Sequence, residues 1–252
     1  IRKIAVLTSG GDSPGMNAAT RATARSAIAK GIEVIGIMRG FEGLLDGDFR
    51  SLGPRDVGGI IHRGGTILQT ARSSRFMEPE WQDRAAGNLL EAGIQGLVVI
   101  GGDGSFRGAD ELRKRGISVA GIPGTIDNDI AGTDLTIGFR TAVETALDAV
   151  MRLRDTASSH DRLFIVEVMG RRSGFLALDV AVAGGAEAVI VPEVQFTLGK
   201  LIDRLHEARR KGKTHSLIVL AEGVMPAQDL RDRIQDTAGY DARVTVLGHI
   251  QR

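Results

Sequence analysis

The chain has 252 residues, 42% hydrophobic and 25% charged, with 32 Lys and Arg against 31 Asp and Glu and a net charge of +1. That length holds one large or two small globular domains, and the near-neutral balance argues against bulk electrostatic binding of nucleic acid or an anionic membrane. No cysteine is present, which excludes disulfides, thiolate metal sites and cysteine nucleophiles.

No apolar stretch approaches the ~18 residues of a membrane helix and the N-terminus lacks a signal-peptide pattern, so a cytoplasmic location is expected. Taken in order, the chain predicts a strand at 4–8, the loop "TSGGDSPGMN", a helix over 17–30 and a strand at 32–37. Further strands are predicted at 97–100, followed by "IGGDGSFRG", and at 119–122, followed by "PGTIDND". A helix over 138–155 comes next, with Ala142, Thr145, Ala146, Ala149, Val150 and Leu153 on one face. Strands at 163–168, 188–191, 217–220 and 243–247, with a helix over 198–211, complete the pattern. The strand runs are apolar without clean alternation, as in a parallel sheet covered on both faces. Strand–helix alternation of this kind predicts a doubly wound α/β fold. The boundary between two α/β lobes is placed at the long helix, giving 1–138, 139–250, and 251–252 as the start of a return to the first lobe. The chain starts without Met and stops just past a strand where another helix is due. The expectation is therefore a piece of a longer polypeptide.

Three strand ends carry glycine loops, and in open α/β sheets ligands sit at the carboxyl ends of strands. Glycine there lets backbone N–H groups approach phosphate oxygens, with a helix N-terminus favouring the negative charge. One such loop needs no ligand; three, two of them with aspartates, point to a phosphate site. Neither standard signature fits. In "GGDSPGM" Met16 stands where a Walker A lysine belongs, and "GDGSFRG" is one residue too long for the dinucleotide fingerprint. Asp103, between Gly102 and Gly104, suits Mg²⁺ on a nucleotide, or else a simple turn or cap.

In "GIPGTIDNDI", Asp127 and Asp129 lie two apart, and an extended loop would point both the same way. Sharing a site, each would raise the other's proton affinity, which suits a base that takes a proton from an alcohol. An Asp-Asn-Asp turn with side chains bonded to local backbone stands level with that reading on these residues alone. Arg72, Arg162, Arg171, Arg243, His249 and Arg252 supply counter-charge near the glycine loops and strand ends, and arginine neutralises transferring phosphoryl groups.

Together "LTSGGDSPGMNAATRA", "GGDGS", "PGTIDNDI", "VEVMGR", "AGGAE", "VPE" and "VLGHIQR" resemble the ATP-dependent 6-phosphofructokinases of bacterial glycolysis along the whole chain. "GGDGS" alone is weak, but "PGTIDND", "VEVMGR" and "GHIQR" in this order are highly specific. The resemblance implies two Rossmann-like lobes with mostly parallel sheets and an active site at strand carboxyl ends. It implies Mg·ATP-dependent phosphorylation of the 1-hydroxyl of fructose 6-phosphate, with Asp127 as general base, Thr125 and Asp129 orienting, and Arg171 stabilising the transferring phosphoryl. Gly11, Arg72, Ser73, Gly102, Asp103, Gly104 and Ser105 would hold ATP, with Asp103 at the metal. Thr125, Ile126, Asp127, Met169, Gly170, Arg171, Glu222, His249 and Arg252 would meet the sugar phosphate, with Arg162 and Arg243 reaching across from a neighbouring subunit of a homotetramer.

The resemblance also implies an effector site for ADP or phosphoenolpyruvate at Arg21, Arg25, Arg154, Gly185, Glu187, Lys211, Lys213 and His215. Here Pro54, Gly59 and Thr214 depart from the family pattern. Pyrophosphate-dependent relatives carry Asp at the Gly104 position and Lys at the Gly124 position; two glycines favour ATP. A noncatalytic nucleotide-binding subunit is the alternative from another class, disfavoured because Asp103 and Asp127 are both present.

Overall fold

The computed structural model describes residues 1–160 and 162–252. The chain forms two compact units, Ile1–Thr125 with Ile130–Gly138, and Ile126–Asp129 with Phe139–Arg252.

In the first unit, strands β1 (Lys3–Thr8), β2 (Glu33–Ile37), β3 (Phe49–Ser51), β4 (Gly96–Gly101), β5 (Val119–Thr125) and β6 (Ile137–Gly138) form one sheet in the order β3-β2-β1-β4-β5-β6. Every pairing is parallel except β2 with β3. Helices α1 (Met16–Ala29), α2 (Gly40–Asp46), α3 (Pro79–Glu91) and α4 (Asp103–Lys114) complete the unit. The strands bury both faces. Ala5, Leu7, Leu97 and Val99 pack with Leu44, Leu89 and Leu112 of α2, α3 and α4, whereas Val6 and Ile100 pack with Met16 and Ala24 of α1. That two-sided burial explains why the runs lack alternation. β3 was not legible as a strand because two of its three residues, Arg50 and Ser51, are exposed and polar.

In the second unit, α5 (Phe139–His160) leads into β7 (Leu163–Val168), α6 (Phe175–Gly184), β8 (Ala188–Ile190), α7 (Leu198–Arg210), β9 (Ser216–Ala221), α8 (Ala227–Ala238) and β10 (Ala242–Val246). Its sheet is wholly parallel, in the order β10-β7-β9-β8. Phe164, Val166, Leu217 and Val219 face α5 and α6, meeting Ala142, Ala146 and Val150 from the predicted helix face. Leu163, Ile165, Ile218 and Leu220 face Leu205 of α7 and Leu230 of α8. Ile126, 4% exposed, packs into the first of these cores with Phe139 and Leu176, which anchors the segment that carries Asp127. Both sheets are thus doubly wound, with mostly parallel strands, as expected.

Candidate active site

In the first unit the loops after β1 and β4 press together: Ser9 N–H donates to Ile100 O at 3.0 Å. A Cβ on Gly101 would lie 2.5 Å from both Ser9 O and Ser105 Oγ, so only glycine fits. α4 begins at Asp103 with Gly102 as its N-cap and no side chain capping it, which leaves a helix N-terminus able to receive an anion. Space beside Gly104 and Gly11 is open, since a Cβ on either meets nothing within 4 Å. Ser105 is buried against the β1 loop. The segment bearing Arg72 and Ser73 is fastened to this loop by Thr70 Oγ1, which donates to Gly10 O at 2.7 Å, while Ser73 Oγ accepts Phe76 N–H at 3.2 Å. Thr125 ends β5, and its carbonyl accepts Thr136 Oγ1 at 2.7 Å. The predicted nucleotide residues therefore gather on the β1 and β4 loops and the Thr70–Phe76 segment.

Asp103 pairs with Arg107 one turn on, Oδ2 to Nη2 at 2.8 Å, and both side chains are more than half exposed. Among the described residues no three His, Asp or Glu side chains are grouped to hold a metal by themselves. One accessible carboxylate at an uncapped helix start fits Mg²⁺ whose other ligands are phosphate oxygens and water.

In the second unit the proton-accepting candidate is well defined. Asp127 is 6% exposed, and its carboxyl is pushed up to about 6, chiefly by burial, then by Asp129 and Glu222, against the opposing pull of Arg171. The loop differs from the extended one expected. Asn128 adopts φ 52°, in the left-handed region, where Asn is among the few tolerated residues, and Asp129 is exposed while Asp127 is not. Burial, more than the paired charge, therefore sets the proton affinity.

Arg171 sits in the turn after β7 with φ 54°, next to Gly170 at φ 138°. Its N–H donates to Glu222 Oε1 at 2.9 Å. Cβ atoms on Gly170 and Gly223 would lie 2.5 Å from Ser173 O and 2.0 Å from Arg171 O, so this crossing of β7 and β9 ends requires both glycines. Met169 N–H donates to the buried Gln251 Oε1 at 2.9 Å, which fixes the 3₁₀ turn Gly248–Gln251 beside it. His249 and Arg252 on that segment are exposed.

Arg162 and Arg243 do not join this group. Both approach Asp241 Oδ2, at 3.4 and 3.1 Å. Arg162 precedes β7 and Arg243 pairs in register with Phe164 near its start, so most of the six-residue strand, roughly 15–20 Å, separates them from the Met169–Arg171 end.

Of the effector candidates, Arg154 Nη2 donates to Gly185 O at 2.6 Å and Lys213 meets Glu187 at 2.7 Å. Burial tends to raise the Glu187 carboxyl, but hydrogen bonds from Lys213 and Leu217 N–H outweigh it and hold it below the usual range. His215 is half-buried beside them in sequence, with Nδ1 buried and without a hydrogen-bond partner. Lys211 is engaged by Glu207 at 2.6 Å instead. In the first unit Arg21 donates to Val57 O at 2.6 Å, and Arg25 is exposed one turn along α1.

Sequence reasoning missed Asp241, Gln251, Ser173 and Thr70, whose partners are 2 to 82 residues away. Gln251 lies inside "VLGHIQR" and Ser173 two residues past "VEVMGR", but nothing in a string marks a polar side chain as buried.

The Phosphofructokinase family profile matches residues 3–252. A relative from Listeria welshimeri, named ATP-dependent 6-phosphofructokinase, is 56% identical over all of this chain and 79% of its own length. One of the same name from Natranaerobius thermophilus is 53% identical over the same shares. Among solved structures, the phosphofructokinase of Saccharomyces cerevisiae superposes with a TM-score of 0.93 at 41% identity, covering 100% of this chain and 38% of that one.

Proposed function

Because this chain belongs to the phosphofructokinase family, we propose that it transfers the γ-phosphoryl of Mg·ATP to the 1-hydroxyl of fructose 6-phosphate, giving fructose 1,6-bisphosphate and ADP. The observation that carries the reading is Asp127, a buried carboxyl whose affinity for a proton reaches about 6 beside Arg171. A base so tuned is ionised at neutral pH yet accepts a proton readily. The hydroxyl oxygen forms a bond to the γ-phosphorus, the bridging oxygen leaves with ADP, and the hydroxyl proton passes to Asp127. Arg171 offsets charge on the transferring group, the largest contribution in most such transfers. Glu222 holds the Arg171 backbone, and Asp129 and Thr125 orient the reacting groups. Met169, Gly170, His249 and Arg252 receive the sugar phosphate, with Ile126 holding their neighbour Asp127 against the core.

Gly11 and the uncapped start of α4, Gly102 to Ser105, take the triphosphate, with Arg72 and Ser73 on the nucleotide. Asp103 would hold Mg²⁺, which supplies charge neutralisation to the phosphates when bound. Open space beside Gly104 favours a nucleoside triphosphate over pyrophosphate, and the two curated relatives are both named ATP-dependent.

The proposed active species is a cytoplasmic homotetramer. No helix among the described residues is long and apolar enough to cross a membrane. Two observations support self-association: Arg162 and Arg243 stand near the strand starts of their own sheet, away from Arg171, and Phe175, Leu178 and Val182 of α6 expose an apolar stripe with Met151 of α5. The Arg154, Glu187 and Lys213 group supports an ADP or phosphoenolpyruvate effector site. Fructose 1,6-bisphosphate formation with Mg·ATP and with Mg·pyrophosphate in parallel tests the reading. ATP-only turnover is expected; pyrophosphate turnover would overturn the donor assignment, and none with either donor the reaction.

A further inference from the structure

We infer that Ser173 is a positioning residue for the phosphoryl transfer, its hydroxyl fastening the backbone of the Asp127 segment to the turn that carries Arg171. The inference rests on the proposed reaction for its kinetic part and on this chain's geometry for the rest.

Ser173 is 5% exposed. Its Oγ donates to Asp127 O at 2.9 Å and accepts Phe175 N–H at 3.4 Å. Its N–H donates to Gly170 O at 2.8 Å, which closes the turn holding Arg171. One residue therefore touches the backbone of the base, the turn of the arginine and the first residue of α6. The Arg171 turn is not held in place by its own conformational preference. Asn128 and Arg171 both adopt left-handed φ; Asn tolerates it, but for Arg171 it costs of order 1–3 kcal/mol and persists only where surrounding contacts enforce it. Segments 126–129 and 169–173 are far apart in sequence, so their relative position depends on bonds of this kind. The Asp127 carboxyl is sensitive to that position, because Arg171 draws its proton affinity down while burial and Asp129 raise it. A looser tie weakens the Arg171 contribution first.

The test uses Ser173→Ala and Ser173→Thr, the second keeping the hydroxyl. In Ser173→Ala the expected result is kcat lowered roughly 3- to 10-fold, the scale of one buried hydrogen bond. KM for both substrates should stay near wild type, and the acid limb of the pH profile should move upward. Ser173→Thr should restore most of the rate. Carbon-13 NMR titration of the Asp127 carboxyl reads the same displacement without turnover and should show it rise in Ser173→Ala alone. A shifted carboxyl in a wild-type protein without activity would keep the positioning role and sink the reaction assignment. An unchanged carboxyl and acid limb in Ser173→Ala, even with lowered thermal stability, would overturn the inference and leave Ser173 a folding contact only.

Discussion

Replacing Asp127 by Asn should remove the activity and stabilise the protein at once. The carboxyl stands at about 6 in the folded chain against an ordinary 3.8. Between these values the folded state binds a proton that the unfolded state has released, so stability falls as pH rises through that window. Above it the full difference, ~3 kcal/mol, has been lost. Asn carries no titrating proton, and groups remote from position 127 are common to both proteins and cancel, leaving this carboxyl with its coupled neighbours Asp129, Glu222 and Arg171. The stability gap should therefore be small at pH 4, grow as pH climbs, and level off above pH 6.5 at up to ~3 kcal/mol in favour of the Asp127→Asn variant. Turnover should fall roughly 10²–10⁴-fold in the same variant, the usual contribution of a general base. Denaturant unfolding of both proteins at pH 4, 5, 6 and 8 measures the gap. A gap that does not depend on pH, or a variant no more stable than wild type at pH 8, would refute the account of a carboxylate held against its own burial.

The wild-type rate should lose about tenfold per pH unit below about 6, as protonation removes the base; a flat kcat/KM from pH 5 to 8 would contradict this. Arg171→Ala should cost about 10²–10³-fold in kcat and move that acid limb upward, since the charge lowering the Asp127 proton affinity is gone; steady-state kinetics across pH reads both. Gly104→Asp should fold normally, because its Cβ meets nothing within 4 Å and an acidic residue suits the first turn of α4; ATP turnover should collapse while the melting temperature holds. Gly223→Ala should do the reverse of a surface change. A Cβ 2.0 Å from Arg171 O forces the turn apart, lowering kcat and destabilising by roughly 1–3 kcal/mol, checked by thermal melts beside assays.

Much of the fold was legible because a parallel sheet covered on both faces demands continuous apolar runs, and "IAVL", "LVVI" and "LFIV" supply them. β6 was not, being two residues long with Ile137 exposed. At the site, the motifs marked the candidate residues, and the burial of Asp127 followed from them only in part. A string shows two aspartates two apart and suggests mutual repulsion. It does not show that Ile126 is anchored in a core, which carries Asp127 under cover and makes burial the dominant cause. Likewise the string places Arg162 before and Arg171 after one strand run but does not say where Arg243, His249 and Arg252 fall. The parallel register does, placing Arg162 and Arg243 near the strand starts of the second sheet and Arg171, His249 and Arg252 past the strand ends.

Unusual backbone conformations fall on the same segments as the proposed chemistry. Among the described residues, non-glycine positions with left-handed φ are Arg39, Gln69, Asn128 and Arg171. Asn128 adjoins the buried carboxyl and Arg171 is its counter-charge, while Gln69 precedes Thr70, which holds the Arg72 segment to the glycine loop. Three of four such positions thus fall on segments assigned to substrate or nucleotide on other grounds. Such conformations persist only where neighbouring contacts enforce them, and here the enforcing contacts are Glu222 on Arg171 N–H and Ser173 on Asp127 O. A carboxylate kept under cover is a second cost at the same place. Burial and backbone strain both oppose stability, and both are concentrated where Asp127 meets Arg171. An arrangement selected for folding alone would have relaxed each of them with one substitution, Asn for Asp127 and Gly for Arg171. Their joint presence is what the proposed proton transfer beside a developing negative charge would require.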